Sequence, residues 1–201
     1  MHTDPNYVLV MRTCNADMTS YGGFMWPRSG MVECPNWDPR PVCGYGLHGF
    51  LWGEGDGGLA SWDPDAVWMI VKVLAADLVI LDNNDKVKFP RGEVILCGDR
   101  LAVTQYMMEH APGSRAIIGL MATGGYRSTL TGGYRSTLTG GDGSTLTGGH
   151  YSTLTGGDGS TLTIKHWDGK RCRLVTAYVG EDGILPNVPY RLDENGKFVR
   201  A

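Results

Sequence analysis

Two rhythms of apolar and polar residues run along this chain. In the first half, apolar residues come in short runs parted by turn-forming clusters. Tyr7–Met11, Val67–Leu74, Leu78–Leu81, Val87–Phe89 and Glu93–Cys97 are rich in β-branched and aromatic side chains and read as strands, Val67–Leu74 (VWMIVKVL) most clearly. Asp82–Asp85 reads as a turn. Asp99 is placed to cap a short helix over Arg100–His110, with Leu101, Tyr106 and Met108 set to pack on the sheet, and Pro112-Gly113 ends it. From Thr123 to Leu162 the rhythm becomes strict: TGGYRSTL twice, then TGGDGSTL, TGGHYSTL and TGGDGSTL, in register and without insertion.

Each octad joins a glycine pair to the run Ser-Thr-Leu-Thr. In a strand, successive side chains point to opposite faces. Ser128 and Leu130 should therefore face one way and Thr129 and Thr131 the other, giving a small apolar face for packing and a Thr-x-Thr face for solvent. The glycine pair is expected to supply positive φ for a tight corner. A short fixed period of this kind is the signature of a β-solenoid, whose turns bury one another. Asp142-Gly143 returns sixteen residues later as Asp158-Gly159. Two octads per coil follow, about 2.5 coils in all, with Tyr134 near His150 and Tyr151. One face would carry the rows Thr129/Thr131, Thr145/Thr147 and Thr161/Thr163, spaced by about 4.8 Å.

After the octads, Asp168-Gly169, Glu181-Asp-Gly183 and Asn195-Gly196 punctuate strand-like segments. A β-hairpin unit there would continue the ladder and hide its open edge. The expected fold is mainly β: a small α+β N-terminal domain (1–114), a short β-solenoid (115–163) and a C-terminal β cap (164–201).

The repeats resemble those of bacterial ice-nucleation proteins, on Gly-Tyr-Arg-Ser-Thr-Leu-Thr at 125–131 and again at 133–139. The resemblance implies a two-octad coil whose Thr-x-Thr rows act on water. The whole layout also resembles proteins encoded by tailed phages and prophages. It does so on Cys43–Gly49, the octads, and Trp167-Asp168-Gly169 with Tyr178-Val-Gly-Glu-Asp-Gly183. That second resemblance implies an accessory product acting inside a bacterial host cell.

Charge and composition narrow the picture. With 201 residues and a net charge of −3, no basic face points to nucleic acid. The apolar runs are broken at Lys72 and Asp77, so no segment is read as spanning a membrane. The first ten residues lack the basic and apolar regions of a secretory signal, so the cytoplasm of the host cell is expected, with reduced thiols. The five cysteines form no Cys-x-x-Cys pair.

Candidate chemistry is sparse. Cys14, Cys34, Cys43 and His48 are the residue types of a tetrahedral zinc site, at spacings unlike a standard knuckle; buried thiols and one satisfied histidine are the alternative. Gly44-Tyr-Gly-Leu-His48-Gly resembles the Gly-x-Gly-Ile-Tyr stretch of ADP-ribosyltransferases. By that resemblance Arg12 or His48 would hold NAD, and Glu93 would stabilise a cationic ribose. Glu54, Asp56, Asp63 and Asp65 lack calcium-loop spacing and read as a solvated face. Tyr126, Arg127, Tyr134, Arg135, His150 and Tyr151 form a strip of interface-type side chains on the octads. The leading expectation is therefore a non-enzymatic phage-type binding protein. Its solenoid would serve as a rigid scaffold or self-association surface, and its protein partner would be a host defence component. An ADP-ribosyltransferase-like or nucleotide-binding N-terminal domain and weak ice binding by the threonine rows are the alternatives.

Overall fold

The structure, a computed structural model, describes residues 5–81 and 86–201, so the turn expected at Asp82–Asp85 lies outside the described residues. The chain is mainly β, with 41% strand and one α-helix among the described residues. It divides into two compact units, Met1–Gly113 and Ser114–Ala201.

The first unit holds β1 (Tyr7–Cys14), β2 (Gly30–Glu33), β3 (Leu47–Leu51), β4 (Val67–Leu74), β5 (Val79–Ile80), β6 (Val87–Phe89) and β7 (Arg91–Gly98). They form a seven-stranded antiparallel sheet in the order β2-β7-β4-β1-β3-β6-β5. Its centre is the long β1–β4 pair, in register from Tyr7↔Leu74 to Cys14↔Val67. Val10, Met69, Val71, Val73 and Phe89 are fully buried there. The glycine-rich run 43–58 contributes β3, and Gly49 lets it lie close to β1, since a Cβ at that position would sit 2.4 Å from Val10 and 2.7 Å from the Met11 carbonyl.

Helix α1 (Arg100–His110) begins where expected, with the Asp99 carboxylate accepting from the Ala102 N–H at 2.8 Å. Its packing face differs from the expected one. Val103, Thr104 and Met107 are buried, whereas Leu101 and Met108 are exposed. The i, i+4 pair Val103/Met107 sets the phase of the helix. Tyr106 stacks instead on His110, ring centroids 3.9 Å apart.

The second unit contains β8 (Met121–Thr123), β9 (Thr129–Thr131), β10 (Thr137–Gly140), β11 (Thr145–Gly148), β12 (Thr153–Gly156), β13 (Thr161–Trp167), β14 (Cys172–Tyr178), β15 (Pro189–Leu192) and β16 (Phe198–Arg200). Successive octads alternate between two sheets. One is ordered β16-β15-β12-β10-β8 and the other β14-β13-β11-β9. Within each, octad strands pair in parallel at a sixteen-residue separation: Leu138 with Leu154, Leu146 with both Leu130 and Leu162. Ile117, Ile118 and Leu120 are buried before the first octad. At the other end the pairing turns antiparallel, β14 on β13 and β15 on β12, so both ladders finish on the C-terminal strands. Buried Val179, Ile184 and Tyr190 fill that end.

Candidate functional site

The octad builds the site position by position. Counting Thr123 as position one, the serine at six and the leucine at eight point inward. Ser136, Ser144, Ser152 and Ser160, with Leu138, Leu146, Leu154 and Leu162, are at most 1% exposed. A buried hydroxyl needs partners, and here the stacked serines supply them. Ser152 Oγ accepts from the Ser136 N–H and donates to the Gly133 carbonyl, both at 3.1 Å. Ser160 repeats this with Ser144 and Gly141 at 3.1 and 3.1 Å. Ser144 repeats it with Ser128 and Gly125 at 3.2 and 3.2 Å. The octad pattern places these serines inside; the ladder linking them depends on the backbone of the octad sixteen residues away, which no single repeat specifies.

The glycines act differently from the sequence expectation. Neither member of the pair has positive φ. The first must be bare because the serine four residues later fills the space: a Cβ on Gly140 would lie 2.6 Å from Ser144 Cβ. The second abuts backbone in every octad after the first, where Gly125 faces open space: a Cβ on Gly149 would meet Gly133 C at 2.4 Å and Tyr134 N at 2.6 Å. The left-handed residue is position five: Arg127 (φ 52°), Arg135 (54°), Gly143 (68°), Tyr151 (61°) and Gly159 (64°). The corner is thus made where the sequence varies most.

The threonines at positions seven and one point outward and are exposed or part-buried. Register pairs Thr145 with Thr129 and Thr161, and Thr147 with Thr131 and Thr163. On the other ladder Thr139 pairs with Thr123 and Thr155. β14 extends the first array, because Thr163 Oγ1 and Thr176 Oγ1 are 3.0 Å apart. A regular grid of hydroxyl and methyl groups results on each ladder.

The six Tyr, Arg and His residues of the expected strip divide between two corners. Tyr126 and Arg127 sit in the β8–β9 connection, where the Arg127 N–H donates to the Asp142 carbonyl at 2.8 Å. Tyr134, Arg135, His150 and Tyr151 gather in the connections of the opposite edge. There Tyr134 and Tyr151 meet edge to face at 5.5 Å, and Arg135 lies 5.8 Å from the centroids of both rings. His166 joins them 6.1 Å from His150.

In the first unit, Arg12, Cys14, Cys34, Cys43 and His48 border one cavity of about 1020 Å³. They are not gathered as metal ligands: among the described residues no group of three or more His, Cys, Asp or Glu is placed to hold a metal. Cys34 Sγ instead donates to Asn36 Oδ1 at 3.3 Å. Glu93 lies on β7 opposite Met31 and Lys72, exposed and away from the lining of that cavity. The trio expected from the ADP-ribosyltransferase likeness is therefore not brought together. Burial, and after it Lys86, Arg12 and Lys88, push the His48 imidazole down to about 4.

Fold and site together define a repeat-bearing β protein that displays threonine rows from stacked, in-register strands. Known proteins agree on the repeat. The chain is similar to the ice nucleation protein of Pseudomonas fluorescens, 43% identical over 103 residues, which is 51% of this chain and 8% of that protein. It is similar also to the ice nucleation protein InaU of Pantoea ananas, 38% identical over 105 residues, 51% of this chain and 10% of that protein. The ice nucleation protein of Xanthomonas campestris pv. translucens is 35% identical over 115 residues, 57% of this chain and 7% of that protein. The chain spans a tenth or less of the length of these relatives. No family model matches, and no solved structure matches. These relatives overturn the expectation of a phage-type accessory protein that blocks a host defence component, because the proteins matched are bacterial and carry ice-nucleation names. Among the described residues no helix is long and apolar enough to cross a membrane.

Proposed function

We propose that residues 115–163 form a short β-solenoid of two octads per coil, capped by residues 164–201, whose outward threonines order water and adsorb to ice. The observation that carries this reading is the parallel register of Thr145 with Thr129 and Thr161, and of Thr147 with Thr131 and Thr163. That register spaces the rows by about 4.8 Å across strands and by about 6.6 Å along them. Each threonine offers one hydroxyl and one methyl, so the grid can hydrogen-bond water and limit its orientation. A grid held by fixed backbone pays little entropy on binding a lattice. The names of the similar proteins support the same chemistry. Three rows per ladder fit adsorption to an existing ice surface.

The test is thermal hysteresis and ice-recrystallisation inhibition by the purified chain, with Thr145→Lys and Thr147→Lys beside it. The expected result is measurable activity in the parent and its loss in both variants at unchanged circular dichroism. Absence of both activities in the folded parent removes the reading.

A further inference from the structure

The threonine rows leave the cavity of the first unit without a role. Its volume of about 1020 Å³ lies at the upper end of the range for small-molecule sites. Its charge is one-sided. Arg12 and Lys86 border it, and among the described residues no aspartate or glutamate does. Arg12 is held firmly: Nη1 donates to the His48 carbonyl at 3.0 Å and Nη2 to the Thr13 carbonyl at 3.3 Å. Its guanidinium lies 3.9 Å over the Trp26 ring, and its Nε is buried with no partner. Carbonyls, the neighbouring Cys14 thiol and a π face orient that charge but do not neutralise it, because burial pushes the Cys14 thiol up and keeps it protonated. A guanidinium keeps its proton inside proteins, and a buried charge without a counter-charge is costly. His48 adds no second cation beside it, since burial holds its imidazole down to about 4. Phe24, Trp26 and Tyr45 give the cavity an aromatic wall.

We propose that this cavity binds a small organic carboxylate with a flat apolar body, its carboxylate paired with Arg12 and its ring against the Phe24–Trp26 wall. The bidentate fit of guanidinium to carboxylate supplies the missing counter-charge, and the apolar body displaces water from the aromatic side.

The test is titration of the full chain with 2-naphthoate, neutral 2-naphthamide and inorganic phosphate. The Trp26 indole N–H, which donates to Ser20 Oγ at 3.1 Å, is followed by NMR. The expected result is saturable shifting by 2-naphthoate, at least tenfold tighter than by either other probe. Arg12→Gln should weaken 2-naphthoate by about 10- to 100-fold, and Lys86→Gln by a smaller factor. Equal binding of acid and amide, tighter binding of phosphate, no saturable binding of 2-naphthoate, or unchanged affinity in a folded Arg12→Gln overturns the proposal. If Arg12→Gln does not fold, the acid-to-amide ratio in the parent decides.

Discussion

Ser152→Ala isolates the part of the octad unit that ties octads sixteen residues apart to one another. Ser152 is fully buried, and its hydroxyl bridges the Ser136 N–H and the Gly133 carbonyl at 3.1 Å each. Removing the oxygen does not orphan both groups. The Gly133 carbonyl still accepts from the Gly149 N–H at 3.0 Å and from Ser136 Oγ at 2.9 Å. The Ser136 N–H loses its partner in a site closed to water. One orphaned buried donor costs about 1–3 kcal/mol, and the lost hydroxyl–carbonyl bond adds about 1 kcal/mol. A loss of about 2–4 kcal/mol is expected, which for a unit of this size lowers the melting temperature by roughly 10–30 °C. Thermal melts by circular dichroism measure it, and hydrogen exchange at the Ser136 amide assigns it, since that amide should lose more protection than its neighbours. Thr145→Ala, an exposed change on the same strand ladder, is the control and should cost under about 0.5 kcal/mol. Equal losses in the two variants, or unchanged exchange at Ser136, would refute the ladder as a stabilising element.

Gly149→Ala should abolish the cooperative transition of the octad unit, because its Cβ would meet only backbone, at 2.4–2.6 Å. Gly159→Ala has open space and pays only the left-handed backbone penalty, about 1–2 kcal/mol, so paired melts should separate the two effects. His48 gives the first unit an acid sensitivity. The unfolded chain takes up its proton near 6.5 and the folded chain near 4. Between these values the unfolded state binds more protons, so stability falls as pH drops from about 6.5 to 4 and then levels. The linkage is on the order of 3 kcal/mol, reduced to about 1–2 kcal/mol by solvent around the part-exposed ring. Urea titrations across that window should show the slope in the parent and a flatter line in His48→Gln.

Much of the octad unit was legible because its residues repeat one decision. Leu138 and Ser136 could be placed inside and Thr137 outside from alternation alone, and the Asp142/Asp158 recurrence set the stacking distance. Single-position geometry was less legible. The left-handed corner falls on Arg127, Arg135 and Tyr151 as well as on Gly143 and Gly159, and no propensity assigns positive φ to arginine. The glycine pair reads as conformational in sequence but serves close packing, against the serine four residues on and, from Gly141 onward, backbone sixteen residues earlier. Composition alone groups Tyr126 and Arg127 with Tyr134 and Arg135, yet consecutive octads turn at opposite edges and separate them. In the first unit, β4, β7 and α1 announced themselves through their own residues. β2 and β3 lie in glycine- and proline-rich sequence and are strands because β7 and β6 pair with them. The cavity at Arg12 likewise depends on loops that no periodic pattern fixes.

Insertion of whole octads tests the two-octad coil most directly. The C-terminal strands are specific to side, since β14 pairs with β13 on one ladder and β15 with β12 on the other. A sixteen-residue insertion copying residues 141–156 adds one strand to each ladder and returns every later residue to its own side. The new coil brings two buried leucines and two ladder serines, and in stacked repeats each unit contributes its own stability plus one interface. An eight-residue insertion copying 149–156 adds a strand to one ladder only. It shifts the capping strands to the wrong edges, leaving Tyr190 opposite the other sheet and an unpaired strand end open to association. The sixteen-residue variant should therefore melt higher than the parent and gain ice adsorption with its added threonine rows. The eight-residue variant should melt lower and self-associate in sedimentation. Equal tolerance of both lengths would show that the cap does not read the parity of the octads, and the two-octad coil would fail with it.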